Sequence, residues 1–106
     1  MDDFSDRIDK MGQAIAPYAK AKAERVYIEQ FRKSKKAILM RSSSGKTISD
    51  REAEAYSNDE YLQLIEGLKA AVEIEEKCKW TLEKFKLEFE FWRTTQANER
   101  YQKGRL

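Results

Sequence analysis

Apolar residues recur at alternating spacings of three and four along the second half of the chain. The stripe is Tyr61, Leu64 and Ile65, Leu68, Ala71 and Val72, Cys78, Leu82, Phe85, Phe89 and Trp92, with only Glu75 interrupting it. That spacing, held over more than four heptads, predicts one helix over residues 58–103, roughly 69 Å long at 1.5 Å per residue. Between Phe85 and Phe91 the apolar residues also alternate with Lys86, Glu88 and Glu90, which is the period of a half-buried strand. The helix reading prevails, because the longer stripe enters and leaves this stretch in register and no Gly, Pro or Asn bounds it. On a helix, Trp80, Leu87 and Phe91 then form a second apolar face.

The first half is patterned more weakly. Phe4, Ile8, Met11 and Ile15 suggest a short helix or arm over residues 1–16, ended or redirected at Pro17 because the residue before proline disfavours helical geometry. From Pro17 to Arg41 the chain is rich in Ala, Lys and Arg, all good helix formers, and proline suits the first helical position. The expected buried stripe there is Ala19, Ala23, Val26 or Tyr27, Ser34 and Ile38. Residues 42–48 read as a loop whose Gly45 permits positive φ. Ser49 to Glu52 and Ser57 to Glu60 read as capping boxes, giving a short helix over 49–57 before the long one.

These elements predict an all-α single domain: an elongated antiparallel helical hairpin with one very long C-terminal helix. A basic helix of residues 17–41 spans only roughly 36 Å. It would leave the aromatic half of the long helix uncovered, so self-association through Leu82, Phe85, Phe89, Phe91 and Trp92 is expected.

Charge sharpens this picture. The formal net charge is only +2, yet it is segregated. Residues 20–46 carry nine Lys/Arg against two Glu, residues 47–90 carry twelve Asp/Glu against six Lys/Arg, and the tail from Phe91 is again basic. Such segregation suits a polyanionic partner, antiparallel pairing of the two blocks, or both. Histidine is absent and Cys78 is the sole cysteine, so a disulfide framework or thiol and imidazole metal site is excluded within one chain. No basic and apolar leader and no membrane-length apolar run is present, so a cytoplasmic location with no membrane partner is expected.

No motif argues for an enzyme, a cofactor or a metal. Gly45-Lys46-Thr47 resembles the end of a phosphate-binding loop, but Met40 stands where its first glycine belongs and a helix precedes it. Glu73 and Glu75 point to different faces of a helix, which suits salt bridging better than metal binding. Cys78 sits on the apolar stripe as a small hydrophobe.

The basic block suits a phosphate backbone. Lys22, Arg25, Arg32 and Lys36 fall on one helical face, with Lys33 and Lys35 beside them and Arg41 and Lys46 flanking the Ser/Gly loop. Arg93 and Arg100 add a second basic site. Tyr27, Phe31, Trp92 and Tyr101 are candidates for stacking on bases.

Two stretches carry a resemblance. Tyr61-Leu62-x-x-Ile65-Glu66-Gly67-Leu68-x-x-Ala71, with Phe91-Trp92-Arg93-Thr94-Thr95-Gln96-Ala97-Asn98-Glu99-Arg100, resembles small helical bacteriophage proteins encoded near recombination genes. The order of basic helix, Ser/Gly loop and long helix is similar to the UvsY family of phage recombination mediators. That resemblance implies an oligomer in the bacterial host cytoplasm that binds single-stranded DNA and works with a recombinase or single-strand-binding protein. The alternative expectation is a protein-interaction or scaffold module whose basic ridge is consumed by its own acidic helix.

Overall fold

A computed structural model describes residues 3–104 and places them in three α-helices: α1 (Asp3–Arg41), α2 (Ile48–Tyr56) and α3 (Asp59–Gly104). No strand occurs among the described residues, and the alternating stretch at 85–91 is helical. The expected all-α class and very long C-terminal helix are therefore observed. Arg105, part of the basic tail, lies outside the described residues.

The expected break at Pro17 is absent. α1 continues through it for 39 residues, although proline lacks an amide donor and its ring crowds the preceding turn. Good helix formers on both sides of Pro17, with side chains packed along the helix, outweigh that local cost. As a result α1 is half as long again as the expected basic helix, and Phe4 reaches the aromatic stripe of α3.

The connections are built from side-chain caps, shifted from their expected positions. Thr47, not Ser49, caps α2 by accepting from the Asp50 amide at 3.1 Å. Asn58, not Ser57, caps α3 by accepting from the Glu60 amide at 2.8 Å. Ser57 instead closes α2, its hydroxyl donating to the Ala53 and Glu54 carbonyls at 3.0 and 3.1 Å. Each oxygen lies where a helix end leaves an amide or carbonyl without an intrahelical partner. Gly45 does not adopt positive φ. Its value is close approach: a Cβ there would stand 3.0 Å from both the Arg51 amide nitrogen and the Asp50 Cβ. The Arg51 Nε donates to the Gly45 carbonyl at 2.9 Å, holding the loop against the first turn of α2.

The chain divides into two compact units, residues 3–19 with 76–104 and residues 20–75. In the second unit α1 and α3 run antiparallel, since Arg25 meets Glu75 while Lys35 meets Glu60. Its seam holds the buried residues Ala21, Ala55, Tyr61, Ala71 and Glu75. Small residues at Ala21 and Ala71 permit close helix approach. The Tyr56 and Tyr61 rings meet edge to face at 5.5 Å, a favoured aromatic geometry. In the first unit the Phe4 ring stacks on Trp92 at 4.3 Å and tilts against Phe89 at 5.5 Å.

Inward positions on α3 are Tyr61, Leu64, Ile65, Leu68, Ala71, Glu75, Cys78, Leu82, Phe85, Phe89 and Trp92, the expected stripe except for Val72, which is exposed; Cys78 is half-buried rather than fully enclosed. On α1 the expected stripe is wrong. Ala19, Ala23, Val26, Tyr27, Ser34 and Ile38 are all exposed, whereas Met11, Ala14, Tyr18, Ala21, Arg25, Ile28, Arg32, Lys35 and Leu39 turn inward at unbroken three-and-four spacing. The true seam of α1 thus includes three cations.

Proline within α1 removes one backbone hydrogen bond and crowds one turn. Pro17→Ala is therefore expected to stabilise the protein by about 1–3 kcal/mol, measured as a raised midpoint in urea unfolding followed by circular dichroism.

Candidate interaction surfaces

Arg25 occupies an inward heptad position of α1, and Glu75 the matching break in the apolar stripe of α3. The two form a bidentate pair, with Arg25 Nε to Glu75 Oε2 at 2.6 Å and Nη2 to Oε1 at 3.0 Å. Arg25 Nη1 also donates to Glu29, one turn along, at 2.9 Å. Only a planar guanidinium can make all three contacts from one stem. The hydrogen bond to Glu75 first, then that to Glu29, raises Arg25 above its ordinary value, against an opposing effect of burial. Arg25 therefore stays charged at every accessible pH.

Further along the seam, Lys35 bonds to Glu60 and lowers that carboxyl below its ordinary value of 4.5. Lys36 lies 4.7 Å from the centre of the Tyr56 ring and 3.7 Å from Glu52. Hydrogen bonding to the Tyr56 side chain is the leading cause that raises Lys36. Arg25, Lys35 and Lys36, expected to face a phosphate backbone, are thus engaged within the chain. This part of the basic block pairs with the acidic segment, one of the two arrangements the charge pattern allowed, whereas Lys22 of the same expected ridge is exposed.

The remaining expected cations divide. Lys22, Lys33, Arg41 and Lys46 are exposed, as are Arg93 and Arg100. Arg32 is half-buried, and its Nε is enclosed with no hydrogen-bond partner among the described residues. An enclosed donor left unmatched opposes folding. Tyr27 and Phe31 project from α1 with nearly parallel rings, 6.2 Å apart at 7°. Tyr27 is 66% and Phe31 41% exposed.

Of the residues expected to mediate self-association, Leu82, Phe85, Phe89 and Trp92 are half-buried on the inward stripe of α3, and only Phe91 is exposed. The correction follows from the length of α1, which brings Phe4 onto Phe89 and Trp92. The uncovered surface is the other face of α3, where Trp80, Leu87 and Phe91 are 62%, 64% and 73% exposed. They line an open groove with Glu83, Lys84, Glu88 and Arg7, the last contributed by α1. Trp80 Nε1 donates to Glu76 at 3.2 Å, orienting the indole along the helix. Apolar spacing marked Trp80 and Leu87 as a second face in the sequence. Nothing marked Arg7, because its place beside that face depends on how the helices of this unit pack.

No group of three or more His, Cys, Asp or Glu side chains fit to hold a metal occurs among the described residues. No described helix is long and apolar enough to cross a membrane. No family model, no curated protein and no solved structure matches the chain.

Removing one partner of a buried pair strands the other, whereas replacing both by apolar groups of similar size does not. Glu75→Ala is expected to lower the thermal midpoint by several degrees, and Arg25→Leu with Glu75→Leu to restore or exceed the original value, both by circular dichroism. The Glu60 carboxyl, depressed by Lys35, contributes stability that is full above 4.5. This contribution is lost as pH falls through the lower folded value, so Glu60→Gln should reduce slightly the acid-side fall of the thermal midpoint, the exposed pair being one of several carboxylates that titrate there. Arg32→Leu removes the unmatched donor from a heptad position and is expected to raise the midpoint; a lower midpoint would show that the guanidinium has a compensating partner.

Proposed function

We propose that this chain is a non-enzymatic helical adaptor, a protein-interaction module that docks another polypeptide chain, whether a copy of itself or a different protein, through an exposed apolar helix face. The observation carrying this reading is the division of its surfaces. Three central cations of the basic block are used inside the chain by Glu75, Glu60, Glu52 and Tyr56. Among the exposed large apolar side chains of α3, Trp80, Leu87 and Phe91 lie together along one open groove. An exposed apolar patch costs solubility and invites association, so its natural complement is another apolar surface. The groove also holds two cations and two carboxylates, a balance that gives a polyanion no electrostatic advantage.

A second reading, single-stranded DNA binding in a phage recombination setting, draws support from a separate observation. Tyr27 and Phe31 present exposed parallel rings on a helix that also carries exposed Lys20, Lys22, Lys33 and Arg41. Aromatic faces and mobile cations together suit single strands. Here, however, only Lys20 shares the side of α1 that carries the Tyr27 and Phe31 rings, with Arg41 at its edge, whereas Lys22 and Lys33 fall on the opposite side, so the cations do not line up along the rings. The adaptor reading is preferred for that reason.

Salt dependence separates the two. Each phosphate engaged on a single strand contributes about −0.7 to the slope of log affinity against log salt. Fluorescence anisotropy with a labelled single-stranded oligonucleotide should give at most weak binding with a slope shallower than about −1.5, the contribution of two phosphates. Tight binding with a slope near −3 or steeper, abolished by Lys22→Glu with Lys33→Glu, would overturn the adaptor reading in favour of the nucleic-acid one.

A further inference from the structure

The partner surface can be specified further, on the premise that the groove of the first unit is a docking face. Around it, the outer side of α3 carries its own three-and-four seam: Trp80, Lys84, Leu87 and Phe91. These residues lie on the side of the helix away from Leu82, Phe85, Phe89 and Trp92. Read in either direction, the seam begins and ends on an aromatic ring, with one basic and one aliphatic residue between.

We propose that this face binds the same face of a second copy of the chain, as an antiparallel two-fold pair. In an antiparallel helix pair, seam positions of one kind meet those of the other. Aligning Trp80 with Phe91 of the second copy automatically aligns Leu87 with Lys84 of that copy, and the two-fold axis repeats both contacts. Each indole then covers a phenyl ring, and each Leu87 is covered by the aliphatic stem of a lysine whose ammonium reaches outward to water. Moving either helix by one heptad loses both aromatic pairs: it sets Trp80 opposite Asn98 in one direction, and Trp80, Leu87 and Phe91 opposite Lys84, Lys77 and Glu73 in the other.

Charge selects the same arrangement. A parallel pair would set Lys84 against Lys84 within the seam and Glu83 beside Glu88 on both flanks. The antiparallel pair avoids both juxtapositions. It places Glu83 near Glu90 of the copy, and the bond from Lys86 to Glu83 at 3.3 Å screens the flanks in either pairing, so the discriminating charge is Lys84 within the seam. With Arg7 and Lys84 answering Glu83 and Glu88, the groove is electrically balanced and compatible with a copy of itself. A strongly charged partner would gain nothing here.

The available area is sufficient. At the exposures of Trp80, Leu87 and Phe91, these three side chains offer roughly 350–400 Å² per copy. The flanking Arg7, Glu83, Lys84 and Glu88 bring the pair to roughly 1,000–1,200 Å² in total, at the lower limit of specific interfaces. The predicted dimer is therefore reversible and weak, with monomer exchanging as the chain is diluted.

Sedimentation velocity on the full chain, from low micromolar to submillimolar concentration, tests the proposal. The expected result is a monomer–dimer equilibrium abolished by Leu87→Glu or Phe91→Glu, with helical circular dichroism unchanged because both side chains are largely exposed. Tyr27→Ser, in the other unit, should leave the equilibrium intact. In a Cys78→Ser background, Trp80→Cys mixed with Phe91→Cys should give an interchain disulfide. Neither variant alone should crosslink, because like positions then lie about eleven residues, roughly 16 Å, out of register.

A chain that stays monomeric throughout, or a dimer indifferent to Leu87→Glu and Phe91→Glu, would overturn the proposal. So would crosslinking of each cysteine variant alone, which would indicate a parallel pair. A monomer that binds an amphipathic helical peptide through Phe91 would assign the face to a different protein, sinking the second copy while leaving the adaptor reading standing. The oligonucleotide measurement, by contrast, tests that reading without reference to the dimer.

Discussion

The pairing of Arg25 with Glu75 fixes the register of the second unit. Both lie at inward heptad positions, and each would be costly to enclose without the other. Sliding α1 by one turn against α3 would bring Arg25 opposite an apolar or small residue and leave Glu75, 9% exposed, without its guanidinium. Apolar contacts alone specify this register poorly, because the seam is built from Ala21, Ala71, Leu64 and Leu68 and contains no fully buried large side chain. A matched pair of charges enclosed in a two-helix seam is an efficient register signal, since misalignment strands both at once.

Once that layer is set, the other cations of α1 follow. Lys35 comes within reach of Glu60, and Lys36 within reach of Glu52 and Tyr56 from α2. Three of the nine cations of the basic block, Arg25, Lys35 and Lys36, are therefore structural in origin: they complement carboxylates of α2 and α3. What remains, including Lys22, Lys33 and Arg41, is distributed around α1 and does not form one ridge. Arg32 stands apart as an inward cation with an unmatched Nε, and no contact in this chain accounts for its choice over an apolar residue.

In the first unit the constraint is of another kind. Phe4, at the start of α1, packs on Phe89 and Trp92, so the inward aromatic stripe of α3 is partly covered by its own chain. The outward stripe is not. α3 is thus a helix with two apolar faces but, in this unit, only one covering segment. Burial of the inward face is a folding question, whereas burial of the outward face is one of association, and the two draw on different residues: Leu82, Phe85, Phe89 and Trp92 for the first, Trp80, Leu87 and Phe91 for the second.

By itself the sequence determined the all-α class, the long C-terminal helix and its inward stripe, because large apolar residues repeat there with one unambiguous phase. It also determined the existence of α2, although the caps sat one or two residues from their expected places, since Thr47, Ser49, Ser57 and Asn58 are all competent capping residues. Only the tertiary structure decided the phase of α1. Alanine is indifferent to burial, and a long cation can lie inward if a carboxylate waits across the seam, so Ala21, Arg25, Arg32 and Lys35 carry no periodic signal until α3 is in place. Continuity through Pro17 was likewise decided by packing on both sides, which a local rule about proline does not include. The functional consequence follows directly: which cations are free and which aromatics are exposed depends on the phase of α1, and that phase is set by a contact fifty residues apart in the chain.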